Sequence, residues 1–232
     1  MEINKKPTTT SHILSIFVVL FSFVIFAIAY GTTYSNHGGS GKNGLGCGPS
    51  SLRQIYCKDL TDEECNTPLI TVSCALQFGN KPWIIIATLI TIYLTILLYI
   101  SRTGKWLYLR SFLLLLGNTT LLALLWVHDR TPIQHNICTG FSVGSILLLM
   151  ILNMLIFYKN FKTWGNILYG ICISLYVIFL IVFLSEDPTY FSDPEQRPEK
   201  PHVFLVGGWE VGMLLSYILS NLVIGFATSK KK

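Results

Sequence analysis

Six runs of mostly apolar residues, 13–30, 82–100, 106–127, 141–158, 164–184 and 203–227, take up more than half of the 232-residue chain. An α-helix rises 1.5 Å per residue, so about 17–25 such residues cross a hydrocarbon core roughly 30 Å thick. Lipid offers no water to a backbone N–H or C=O, and a run that spans it must close its hydrogen bonds internally, as a helix does. The expected fold is therefore an all-α membrane protein, a six-transmembrane-helix bundle forming one membrane domain over residues 1–232. The longest connecting segment, 31–81, is expected to be an outer, cysteine-rich loop.

Charge sets the orientation. Segments on the side of Lys5 and Lys6 also carry Arg102, Lys105, Arg110, Lys159, Lys162 and Lys230 to Lys232, giving +9 after Glu2 is subtracted. The three segments on the other side sum to −3, and Glu210 completes the net +5. Ten bases crowd four short segments on one side, while seven are spread over three longer loops on the other. Lys/Arg enrichment marks the cytosolic face, which puts both termini in the cytosol and loops 31–81, 128–140 and 185–202 on the lumenal side. The basic charge reads as topology, not as a nucleic-acid surface. The first run is expected to be retained as a span, although Ala27-Ile28-Ala29 resembles a signal-peptidase site.

Four of the six cysteines, Cys47, Cys57, Cys65 and Cys74, fall in the first lumenal loop, where disulfides persist. Two bridges are expected, and the spacing leaves three pairings open. Cys172 reads as a packed apolar residue and Cys138 as a thiol at the outer mouth of the fourth helix. Val72 to Leu76 reads as a short strand.

Glu210 is the one acid inside an apolar run. Counting from Val203, it lies about 10 Å below the outer surface. At 100° per residue Glu210, Tyr217 and Asn221 share one face, so the last helix has a polar stripe. A charge at such depth needs a protein partner, and His128, Arg130 and His135 are candidates, with His128 preferred. His128 and His135 also suit a pH-sensitive role at a lumenal face. Asn118 and Asn153 are expected to bond across helices, and Thr88, Thr91 and Thr95 to their own backbone. Gly140…Gly144 and Gly208…Gly212 have the spacing that lets helices approach closely.

No catalytic residues, metal ligands or cofactor are assigned. The chain has no GxSxG, Walker loop or HExxH, and no second intramembrane acid to pair with Glu210. The expected partners are membrane lipids and other proteins in the bilayer, with no nucleic acid. A small transporter or channel using Glu210 is the alternative from a different class.

Several local patterns resemble the DRAM / Frag / Sfk family of six-helix membrane proteins. They are Thr67-Pro68-Leu69-Ile70-Thr71 late in the first loop, Ile86-Ala87-Thr88…Tyr93…Tyr99 before Arg102, Val127-His128-Asp129…Phe141 running into Phe157-Tyr158-Lys159, and Trp209-Glu210. The chain departs from the family where Asn80-Lys81-Pro82 replaces a Pro-Pro-Glu-Ser element and where Leu69 replaces an aromatic residue. The resemblance implies a non-enzymatic, multi-pass endomembrane protein that modulates membrane lipid organisation or trafficking. Autophagy at the lysosome is the leading process, and GPI-anchor lipid remodelling in the ER or Golgi is the alternative. The plasma membrane is a further possible location.

The orientation is open to test. An impermeant maleimide added to cells displaying the protein at their surface is expected to label Glu195→Cys above wild type and to leave Gly104→Cys unlabelled. The reverse pattern would invert the topology.

Overall fold

The computed structural model describes residues 8–37, 72, 75, 76, 80–127, 132–158, 161–186 and 203–227. It contains six helices among them: α1 (Thr9–His37), α2 (Lys81–Arg102), α3 (Leu107–Ala123), α4 (Pro132–Phe157), α5 (Thr163–Glu186) and α6 (Val203–Phe226). Five helices are long and apolar enough to cross a membrane, and α3, at 17 residues, is a shorter apolar helix. The protein is a multi-pass membrane protein.

Each helix packs on its neighbour in sequence, and α6 returns to pack on α1, so the six close a ring. α6 also reaches α2 and α4 across that ring. Polarity is distributed opposite to that of a water-soluble bundle. Ile13, Phe17, Leu20, Leu148, Leu155, Ile167 and Ile178 are exposed, whereas Ser15, Thr95, Arg110, Asn153, Ser220 and Asn221 are buried. Outside the ring lies hydrocarbon, which an isoleucine tolerates and an unpaired amide does not. Thr88, Thr91 and Thr95 hold their hydroxyls on the carbonyls four residues earlier, as expected from sequence.

Several boundaries differ from expectation. α4 begins at Pro132, nine residues before the apolar run at 141, because the polar residues of its first turns are compatible with a helix that projects beyond the hydrocarbon. His135 and Cys138 therefore belong to a helix rather than to loop 128–140. α1 runs to His37, past the expected end at Tyr30. Val72, Ala75 and Leu76 are helical rather than a strand, and all three are buried. The span expected over 106–127 ends as a helix at Ala123 and continues in a turn. The four loop cysteines lie outside the described residues. Cys138 and Cys172 are free thiols, the latter buried in the core.

Close helix contact falls on glycines that the motif spacing did not select. A Cβ added to Gly140 or Gly144 would meet nothing within 4 Å, so that GxxxG pair makes no tight contact. Gly212 does fit the expectation, because a Cβ there would come within 2.8 Å of the Phe179 ring on α5. The tightest approach is at Gly225 on α6. A Cβ there would enter the Ser15 side chain and come within 2.9 Å of the Ser11 carbonyl. Ser11 Oγ donates to the Gly225 carbonyl at 3.2 Å, and His12 stacks on Phe226 with centroids 4.4 Å apart. These contacts close the ring between its first and last helices.

Gly225→Ala is expected to destabilise the bundle by about 1–3 kcal/mol through overpacking. Ser15→Gly in the same chain should recover part of the loss. Thermal unfolding of the purified protein reads both, and an unchanged midpoint in Gly225→Ala would show that α1 and α6 do not close the ring.

Candidate functional site

The enclosed polar groups gather at two levels. One lies near the start of α6 and the other near its end, and about 25 Å of helix separates Glu210 from Ala227 at 1.5 Å per residue. The first is the lumenal level in the orientation inferred from charge. There Glu210 Oε2 accepts the backbone N–H of Val72 at 2.6 Å. The expected partner on a neighbouring helix, His128, lies outside the described residues. The partner seen among the described residues is main chain from the segment between α1 and α2. A carboxylate held by a backbone donor is a charge-assisted bond, worth about 1.5–3 kcal/mol. A charged residue at a helix centre costs about 2.5–3.5 kcal/mol on insertion scales, so the bond offsets much of that cost. It also fixes the helical piece of the loop over the bundle, where Val72, Ala75 and Leu76 pack with Ala29, Ile84 and Leu125.

Two apolar cavities lie beneath this contact. One is lined by Leu124, Ile146, Phe183 and Met213, with Glu210, Thr139, Ser142 and Tyr176 in its wall. The other lies among Ile25, Phe26, Leu114, Asn118 and Ile218. Val72, Leu121, Ile146 and Leu214 line both, so the two adjoin.

The second level contains a buried arginine network. Arg110, counted from sequence as a cytosolic flanking charge, is fully buried, and Arg102 is 2% exposed. α2 and α3 are joined by only four residues, with Trp106 in the left-handed region at φ 51°. That reversal folds Arg110 back under α2. Its Nε donates to Asn153 Oδ1 at 2.8 Å, and one terminal nitrogen donates to the Thr103 carbonyl at 3.0 Å. The guanidinium lies over the Tyr99 ring at 3.9 Å. Asn153 donates to the Tyr99 hydroxyl at 3.3 Å, and that hydroxyl donates to Asn221 Oδ1 at 3.4 Å. Arg102 donates to the Ala227 carbonyl at 2.7 Å and lies over Phe161 at 5.5 Å. Thr103 and Ala227 are the residues that follow α2 and α6, so both cations sit at the negative ends of helix dipoles.

The Glu210, Tyr217 and Asn221 stripe thus divides between the two levels. Glu210 joins the loop, while Asn221 and Tyr217 join the arginine network through Tyr99. Asn153 bonds across helices as expected. Asn118 does not, because its amide donates to the Leu114 carbonyl of its own helix. His135 is placed only by its backbone in the first turn of α4. Sequence reasoning missed Arg102, Arg110 and Tyr99. The available signal was an arginine inside the apolar run that starts at Trp106, together with the mid-span amide Asn153 able to accept from it.

Removing one partner of a buried charge costs about 3–5 kcal/mol, because the remaining charge is left uncompensated. Asn153→Leu, which leaves the guanidinium charged but takes away one of its two hydrogen-bond acceptors, is therefore expected to lower stability more than Arg110→Met, which removes the charge itself. The double variant should be more stable than Asn153→Leu alone. Thermal unfolding of the three proteins in detergent gives the order, and Asn153→Leu unfolding like wild type would show that Arg110 does not depend on it.

Comparison with protein-family models, characterised proteins and solved structures returns no match.

Proposed function

We propose that this chain is a non-enzymatic, six-span endomembrane protein with cytosolic termini that acts on membrane lipid organisation or trafficking. The observation that carries this reading is the pair of adjoining apolar cavities inside the helix ring, with the Glu210 carboxylate in one wall. Apolar volume at membrane depth suits acyl or sterol groups, whose chemistry it shares. α3, with 17 residues, is at the lower limit of a span and supports the sixth crossing. The resemblance to the DRAM / Frag / Sfk family adds the expectation of a lysosomal or autophagy-related role, with the disulfide-stapled first loop on the lumenal side. GPI-anchor remodelling in the ER or Golgi remains the alternative within that resemblance. The transporter reading has less support. Each of the six described helices is continuous, whereas secondary transporters bind cargo at broken helices.

Cells lacking the protein and cells re-expressing it provide the test. Loss is expected to alter the distribution of fluorescent lipid probes across lysosomes and the Golgi, and wild type should restore it. Glu210→Gln, which retains an acceptor for Val72, should fold and traffic normally, whereas Glu210→Leu should lower the mature yield. Unaltered lipid distribution in the deficient cells would sink the reading.

A further inference from the structure

The end of the ring that holds Arg102 and Arg110 carries positive charge with almost nothing to balance it. Among the described residues the only acids are Glu186, the last residue of α5, and Glu210, near the start of α6, both at the opposite end of the ring. In the whole sequence the segments on the arginine side contain one acid, Glu2, against ten bases. The two arginines are held differently. Arg110 makes two hydrogen bonds and lies 3.9 Å from the Tyr99 ring centroid. Arg102 makes one, from Nη2 to the Ala227 carbonyl, and its contact with the Phe161 ring is looser, at 5.5 Å. Its Nε and Nη1 are buried and have no acceptor. A guanidinium carries five N–H donors, and a charged group removed from water without acceptors is costly.

We propose that Arg102 anchors a phosphate site for an anionic phospholipid of the leaflet on this side of the bundle. Arg102 ends α2, where the apolar run gives way to the four-residue turn and the headgroup layer of a bilayer begins. Its unused donors lie beneath the surface, and one main-chain bond holds the side chain there. An outward swing of that side chain exchanges the Ala227 carbonyl for phosphate oxygens. Phosphate offers several acceptors in one group, and the planar guanidinium fork matches them. Basic pockets between helices near a membrane surface are known sites for such headgroups. Lys105 in the turn, Lys162 between α4 and α5 and Lys230 to Lys232 after α6 give the approach the matching sign of charge. A zwitterionic lipid has the same phosphate but brings its ammonium group among these bases. Free phosphate shares the chemistry, and lipid is favoured because Arg102 stands at the depth where a bilayer presents its headgroups. The inference depends neither on the cavities near Glu210 nor on the lipid-handling reading.

The test titrates the full chain in detergent with phosphatidic acid, phosphatidylserine or phosphatidylcholine and counts bound lipid by native mass spectrometry. Both anionic lipids are expected to bind in preference to phosphatidylcholine, and inorganic phosphate at matching concentration should displace neither. Displacement by inorganic phosphate would make the free anion the ligand and overturn the lipid assignment. Arg102→Gln is expected to weaken phosphatidic acid binding about tenfold to a hundredfold, the value of a charge-assisted hydrogen bond. Lys162→Gln removes an exposed base on the same side and should weaken it by no more than about fivefold. Thermal unfolding reports whether each variant keeps its fold. Should Arg102→Gln unfold, Arg102→Lys decides, because a point charge in place of the planar fork should cost about threefold or more. Equal binding of the three lipids, equal losses in Arg102→Gln and Lys162→Gln, or unchanged affinity in Arg102→Lys would overturn the proposal and leave the buried donors to water.

Discussion

A guanidinium stays charged under all ordinary conditions, so enclosing Arg110 in a lipid-facing bundle obliges its surroundings to supply acceptors. Asn153 on α4, the carbonyl of Thr103 in the hairpin and the face of Tyr99 on α2 do so together. Tyr99 passes the network on to Asn221 of α6, and Arg102 fastens the end of that helix through Ala227. Four of the six helices are thereby registered against one another at one level. Apolar packing alone discriminates weakly between registers in lipid, since hydrocarbon outside the ring resembles hydrocarbon within it. Directional bonds to a fixed charge do not share that indifference.

The other end of the ring is organised by a negative charge instead. Glu210 accepts a main-chain amide from the long segment between α1 and α2, which draws Val72, Ala75 and Leu76 down onto the helices. The resulting cap lies over the cavities, whose lining includes Val72. Cation and anion are too far apart to form a pair. Each finds its hydrogen bonds locally, from main-chain or amide groups, and two nitrogens of Arg102 and one of Arg110 are buried without a partner. The apolar volume between them is left for packing or for a ligand.

Closure of the ring depends on small residues. Ser11 and Ser15 on α1 meet Gly225 on α6 where any larger residue would collide. The GxxxG spacing at Gly140 and Gly144 makes no such contact, although it looks the same in sequence. Close approach is a property of two surfaces, and a spacing on one helix describes only one of them.

The number, order and approximate limits of the helices were legible in the sequence, because the length of an apolar run and the thickness of a bilayer leave little freedom. The self-bonded threonines at 88, 91 and 95 were legible for a similar reason, since their partners lie four residues away on the same helix. So was the inward position of Glu210, Tyr217 and Asn221, a matter of 100° per residue. Partners separated by long stretches of chain were not legible. Sequence placed Arg102 and Arg110 in a solvated flank, because a base near the end of an apolar run ordinarily faces water. The four-residue turn through Trp106 and the acceptor at Asn153 bury Arg110 instead. For Glu210 sequence suggested only charged partners and gave no sign of the Val72 amide, which reaches it from the segment between α1 and α2. Local periodicity determined which residues face inward. Only the tertiary structure decided which of them meet, because that depends on how helices distant in sequence are rotated and stacked.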